Sequence, residues 1–262
     1  MRPELQQQGV YVDGHPDKPS VVFLHSIATS SDIWKPLLPL LTQRFRVICI
    51  DLPGHAKAPV LHAGATLADY ADYLDGVLSE LQISPAAMLG ISLGGMVAQA
   101  YAIAHPDRLR GLILANCAAV TADPIRKTWQ ARVDAVSTGG MNSQVEDTLA
   151  RWFTPAFAER SPMCLEWIAG LIERTSVSGY AAAAHAIQHL DHLAALSNVT
   201  VPVLLLAGEE DLAVPGAAIE RMRSALPNAD LVALEGVAHL SAVEAPTVFV
   251  EAVGAFLERV LG

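Results

Sequence analysis

The stretch Gly90-Ile91-Ser92-Leu93-Gly94-Gly95 decides how this chain is read. Before it, Ala86–Ile91 is a short apolar run of strand length, and after it Leu93–Ala104 is a longer apolar stretch of helical length. The serine therefore falls where a strand turns sharply into a helix, the context required of a nucleophile elbow. Gly90 and Gly94 stand two residues to either side, where a missing side chain lets neighbouring backbone approach closely. At a helix amino terminus, free amides and the helix dipole favour negative charge. The motif nominates Ser92 as a nucleophile.

Outward from this point the chain alternates short apolar runs with helical ones, which predicts a mostly parallel sheet with helices on both faces. Strands are expected at Ser20–Leu24, Arg46–Ile50, Ala86–Ile91, 109–114, 201–207 and 230–234. Thr66 and Asp69 have the spacing of a capping box opening a helix to about Leu81, and the last helix follows Pro246. Asp13-Gly14 lies between the apolar stretches 9–12 and 20–24 and predicts a leading antiparallel hairpin. The rhythm breaks over 121–198, where no β-branched run occurs. Ser161-Pro162 has the form of a cap with proline at the first helical position, and 179–190 is Ala-rich and helical. The expected organisation is a core formed by 1–119 and 199–262, interrupted by a helical lid at 120–198. An insertion after a strand's carboxyl end lies where open α/β sheets bind ligands.

Composition sets the outer bounds. The 262 residues carry 17 Lys and Arg against 27 Asp and Glu, a formal net charge of −10, and 52% are apolar with 17% charged. Such a chain is too apolar to be disordered and long enough for a sizeable core. Its acidity argues against nucleic acid or anionic membrane as partner, since no basic stripe compensates. The polar start at 1–8 and the lack of a long apolar run lead to the expectation of a cytoplasmic protein. Cys49, Cys117 and Cys164, odd in number and far apart, read as reduced thiols.

A serine nucleophile needs a base, and the base needs an orienting acid. The strand at 201–207 leads into Gly208-Glu209-Glu210-Asp211, and the strand at 230–234 leads into Gly236-Val237-Ala238-His239-Leu240. Ser92, Asp211 and His239 thus follow three strand ends in the chain order of α/β hydrolases. Glu210 is the alternative acid. Of the other histidines, His55 in Asp51-Leu52-Pro53-Gly54-His55 reads as structural. His185, His189 and His192 form an H-x-x-x-H-x-x-H run without a companion Glu, expected to be solvated or packed in the insertion and not a metal site. The oxyanion donors are expected to be the backbone amides of Leu93, next to the nucleophile, and of Ile27, in the loop Leu24-His25-Ser26-Ile27-Ala28-Thr29.

With the α/β-hydrolase pattern covering nearly the whole chain, a narrower likeness emerges. The stretch 25–29 (HSIAT), 89–99 (LGISLGGMVAQ), 114–118 (LANCA), Arg151-Trp152-Phe153 and Gly179-Tyr180-Ala181-Ala182 together resemble the 3-oxoadipate enol-lactonases of aromatic catabolism. That family usually has glycine where Ala28 stands. The resemblance implies a small carboxylated enol-lactone as substrate and needs no cofactor or metal. Since the protein as a whole is acidic, a local cation must hold the carboxylate. Arg151 is the first candidate, with Trp152 as an apolar wall and Arg132 near Trp129 as the reserve. A carbon–carbon bond hydrolase of ring-cleavage products, a general carboxylesterase and a non-catalytic lactone-binding receptor are the competing readings. Haloalkane dehalogenase chemistry is disfavoured, because it needs a carboxylate where Ser92 stands.

Overall fold

The computed structural model describes residues 3–262; of the polar start at 1–8, Met1 and Arg2 lie outside them. Seven strands are found among the described residues: β1 (Val10–Asp13), β2 (Ser20–Leu24), β3 (Arg46–Ile50), β4 (Ala86–Ile91), β5 (Leu109–Ala115), β6 (Val203–Gly208) and β7 (Ala229–Leu234). They form one sheet in the order β1-β3-β2-β4-β5-β6-β7, parallel throughout except for β1. Every residue of β4 is buried, as expected for a parallel strand covered on both faces.

The expected hairpin between β1 and β2 is not formed. β1 runs antiparallel to β3, with Val10 opposite Ile50 and Asp13 opposite Val47. Both edges of β2 are already paired, to β3 and β4, so the open edge of β3 is where β1 can add. The Asp13-Gly14 turn does exist: the Gly14 amide donates to Asp13 Oδ1 at 2.7 Å, and Gly14 has φ +90°. It carries the chain across the end of β3, packed so closely that a Cβ on Gly14 would lie 2.3 Å from the Phe45 carbonyl oxygen. β6 begins at Val203, two residues later than expected. Pro202 has no N–H to give to a ladder, and its carbonyl instead accepts from the Leu112 amide at 3.0 Å.

Helices cover the sheet. Leu67–Glu80 opens with the expected capping box, the Asp69 carboxylate accepting from the Thr66 amide at 2.7 Å. Leu93–Ala104 is buried over most of its length, and Pro246–Leu261 buries Phe249, Val253, Phe256 and Leu257. Trp34 joins layers, edge-on to Phe23 at 5.0 Å and 6.3 Å from Phe249. Among the described residues no helix is long and apolar enough to cross a membrane.

Between β5 and β6 the chain forms the α-helices Asp123–Gly139, Val145–Trp152, Pro155–Arg160, Pro162–Arg174 and Val177–Gln188. Pro162 holds the first position of its helix, but the Ser161 side chain makes no capping bond. The last of these helices starts earlier than expected, capped by Ser176, whose hydroxyl accepts from the Gly179 amide at 3.0 Å. Gly179 then meets the loop after β3: a Cβ there would lie 1.9 Å from the Gly54 carbonyl oxygen. The two ends of the helical segment are pinned to each other, Thr121 donating to Leu190 at 3.0 Å and His192 to Ala119 at 2.8 Å.

Candidate active site

At the carboxyl end of β4, Ser92 has φ 54° and ψ −117°, a left-handed conformation that costs a non-glycine residue roughly 1–3 kcal/mol. Its amide donates to the Ala115 carbonyl of β5 at 2.9 Å. Both flanking glycines are required by space: a Cβ on Gly90 would sit 2.1 Å from the Gly94 oxygen, and one on Gly94 2.2 Å from the Leu24 oxygen. The turn thereby presents the Ser92 hydroxyl at the start of the helix Leu93–Ala104.

The loops after β6 and β7 bring the other two expected residues to this hydroxyl. His239 Nε2 lies 2.9 Å from Ser92 Oγ, and His239 Nδ1 lies 2.8 Å from Asp211 Oδ2. The His239 and Asp211 side chains are each 3% exposed. A carboxylate beside Nδ1 fixes the proton there and leaves the Nε2 lone pair facing the serine hydroxyl. Asp211 is itself held by the amides of Ala213 and Val214 on Oδ1, at 2.8 and 2.9 Å, and by Asn116 Nδ2 on Oδ2 at 3.0 Å. Burial works against its charge, but His239 and these donors outweigh burial and hold the carboxyl below its ordinary pKa. Glu210, the alternative acid, is exposed.

Sequence reasoning missed the residues that fix these loops. Asn116, one residue past β5 with φ 47°, also donates to the Ala238 carbonyl at 3.3 Å, while its Oδ1 accepts from Ser241 Oγ at 2.6 Å. Its one visible signal is an amide side chain interrupting an apolar strand end.

On the other side, the backbone of Leu24 and His25 abuts Gly94, so the loop bearing Ile27 borders the helix start bearing the Leu93 amide. Two buried imidazoles shape this loop. His25 Nδ1 donates to the Ser26 carbonyl at 2.7 Å and its Nε2 accepts from the Leu52 amide at 2.8 Å. His55 does the same between the Pro53 carbonyl, at 3.1 Å, and the Ala28 amide, at 3.1 Å. Ala28 has φ 56°, which explains why glycine suits this position in the family it resembles. His55 is therefore structural, as expected, and it braces the residue next to Ile27.

Both rings are held neutral. Burial lowers the pKa of His25 to about 4 and that of His55 to about 3. A base whose folded pKa lies below its unfolded value near 6.5 contributes full stability above that value and loses it as pH falls toward the folded pKa. Unfolding free energy should thus fall between about pH 6.5 and 4, by on the order of 3 kcal/mol for His25 alone. Asp51 opposes the trend, because burial raises its pKa, while Asp211, held below its ordinary value, extends the loss to still lower pH. Urea titrations across this range check the prediction; a flat profile would contradict it.

The helical segment supplies the remaining wall. The Trp152 ring is buried 6.1 Å from the His239 ring, and the Leu240 amide donates to the Trp152 carbonyl at 3.1 Å. Arg151, partly buried, reaches Thr148 Oγ1 at 3.2 Å, and Arg132 stacks on Trp129 at 4.7 Å. Burial lowers the pKa of both guanidiniums, and Arg132 further disfavours the charge on Arg151. The two thus share one neighbourhood with Tyr180, and neither forms a salt bridge among the described residues.

The rings of His185 and His189 lie 4.2 Å apart. His189 ends the helix with its Nδ1 on the His185 carbonyl at 2.8 Å, and His192 lies beyond it. Among the described residues no group of three or more His, Cys, Asp or Glu side chains could hold a metal ion. Cys49 and Cys117 are buried and Cys164 partly so, all as free thiols.

Residues 19–246 match the family model described as the alpha/beta hydrolase fold. This chain belongs to the α/β-hydrolase family. Among the relatives of this hydrolase, a 3-oxoadipate enol-lactonase of Acinetobacter baylyi is 31% identical over 246 residues, covering 94% of this chain and 91% of the relative. The crystal structure of an enol-lactonase from Burkholderia xenovorans superposes with a TM-score of 0.91 at 30% identity, covering 95% of both chains. A hydrolase from Pseudomonas aeruginosa superposes with a TM-score of 0.90 at 33% identity, over 95% of this chain and 93% of the other.

Proposed function

We propose that this α/β hydrolase is a carboxylic ester hydrolase that opens a small enol-lactone bearing a free carboxylate, through an acyl-enzyme on Ser92. The observation that carries the substrate class is the pair Arg151 and Arg132, two partly buried guanidiniums that form no salt bridge among the described residues, although the Asp147 carboxylate acts on both; Arg151 directly precedes Trp152, whose ring lies 6.1 Å from that of His239. In a protein of net charge −10 an anion must be drawn by a local cation. The likeness to enol-lactonases at about 30% identity supports the same reading.

In this mechanism Ser92 Oγ attacks the lactone carbonyl carbon while its proton passes to His239 Nε2, and Asp211 stabilises the imidazolium. The amides of Leu93 and Ile27 receive the oxyanion. The ring C–O bond then breaks, the released enolate takes the proton from His239 and becomes a ketone, and both fragments remain one chain esterified to Ser92. Water deprotonated by His239 cleaves that ester. The helical segment 120–198 acts as the lid, and no cofactor takes part.

The test is turnover of a carboxylated enol-lactone, its uncharged analogue, a simple aryl ester and a vinylogous diketone. Preference for the first supports the proposal. Preference for the diketone would favour carbon–carbon bond hydrolysis, indifference a general carboxylesterase, and binding without turnover a receptor. Arg151→Met keeps the apolar stem and removes the charged fork. It should cost the carboxylated lactone about 1.5–3 kcal/mol in kcat/KM, roughly 10- to 150-fold, and leave the uncharged analogue nearly unchanged. An equal drop for both substrates would make Arg151 a structural residue, and no drop for either would move the role to Arg132.

A further inference from the structure

Glu244 is 4% exposed and makes no ion pair among the described residues. A carboxylate that deep is costly unless its oxygens are hydrogen-bonded. Both are. Oε2 accepts from the Ala238 amide at 2.8 Å, and Oε1 accepts from the Thr154 amide at 3.1 Å and from the Thr154 hydroxyl.

Those partners lie in two different parts of the fold. Ala238 immediately precedes His239, whereas Thr154 lies in the helical segment, three residues after Arg151. On the other side of His239, the Leu240 amide is bound to the Trp152 carbonyl. The histidine is therefore tied to the stretch that carries Arg151 and Trp152 on both sides, through Glu244 before it and directly after it. The Ala238 peptide is gripped at both ends, its amide by Glu244 and its carbonyl by Asn116.

We propose that Glu244 is a positioning residue that locks the His239 loop to the Arg151-Trp152 stretch, so that alignment of the base and the placing of the substrate carboxylate depend on one buried charge. The proposal rests on the reading of Ser92, His239 and Asp211 as the reacting groups. Glutamine cannot replace Glu244 in this task. Three donors converge on its two oxygens, and an amide NH2 in place of either oxygen would face a backbone N–H. Aspartate keeps the charge but is one methylene too short to span both elements.

The experiment uses the full chain, as wild type, Glu244→Gln and Glu244→Asp, at a temperature where unfolding curves show each protein folded. Ser92 is labelled with a neutral 4-nitrophenyl phosphonate: the Oγ–P bond forms, 4-nitrophenolate leaves and the serine proton passes to His239. Labelling rate thus reads base alignment without any substrate carboxylate. In parallel, the far-downfield proton resonance of the His239 Nδ1–H···Asp211 bond is recorded, and kcat and KM are measured on the carboxylated enol-lactone. Both variants should label at least about tenfold more slowly, in keeping with the sensitivity of such reactions to small misplacement. They should also broaden the downfield proton and raise KM for the carboxylated lactone. A folded variant with wild-type labelling and an unchanged downfield proton would overturn the role of Glu244. Labelling of wild type at a residue other than Ser92 would instead overturn the reading on which it rests.

Discussion

Ser92→Ala should lower kcat by roughly four to six orders of magnitude, the range seen when a serine nucleophile is removed from a hydrogen-bonded Ser-His-Asp set. The fold should not notice. Alanine keeps the Cβ, so the strain at φ 54° stays as it was, and what is lost is one hydrogen bond from the Ser92 hydroxyl to His239 Nε2. His239 remains tethered to Asp211 at 2.8 Å, and the flanking glycines still admit the close backbone approach. Steady-state kinetics on any turned-over ester, alongside thermal unfolding, check both halves. Activity within tenfold of wild type would show that another group attacks the substrate.

Asp211→Asn should lower kcat by on the order of 10⁴-fold, through the tautomer of His239 and not through loss of structure. The amides of Ala213 and Val214 both point at Oδ1, so an asparagine side chain keeps its carbonyl oxygen there and places its NH2 where Oδ2 stood. That NH2 donates to His239 Nδ1, which forces the ring proton onto Nε2, where it faces the serine hydroxyl as a donor and cannot accept its proton. It also opposes the NH2 of Asn116, which donated to Oδ2 at 3.0 Å. Glu210→Gln, altering an exposed side chain, should leave kcat within about twofold of wild type, as surface changes away from a site do. Near-normal activity in Asp211→Asn with loss in Glu210→Gln would reverse the assignment.

The parts of this molecule that were legible in the sequence share a physical reason. An interior parallel strand such as Ala86–Ile91 is buried on both faces and reads as an unbroken apolar run, and the helix Leu67–Glu80 carries its own capping box. Ser92 announces itself by glycines that only a tight strand-to-helix turn demands, and Asp211 and His239 by their places after strand ends. What stayed hidden is set by long-range pairing. Asp13-Gly14 marks a turn but says nothing of which edge is open, and the sheet leaves β1 with β3. Asn116, Ser241 and Glu244 look like ordinary polar residues near loops until folding buries them against the His239 loop. Arg132 and Arg151, on different helices, become one pair of cations through the packing of those helices.

An acyl-enzyme on Ser92 would be visible in the mass of the protein caught during turnover. Opening a lactone ring expels no leaving group, so acylation adds the entire mass of the substrate. A rapid acid quench of the wild-type protein with the carboxylated enol-lactone, followed by peptide mapping, should find that full-mass adduct on the peptide containing Ser92, and none in Ser92→Ala. The same adduct on another residue, or undiminished turnover of the enol-lactone by Ser92→Ala, would contradict it.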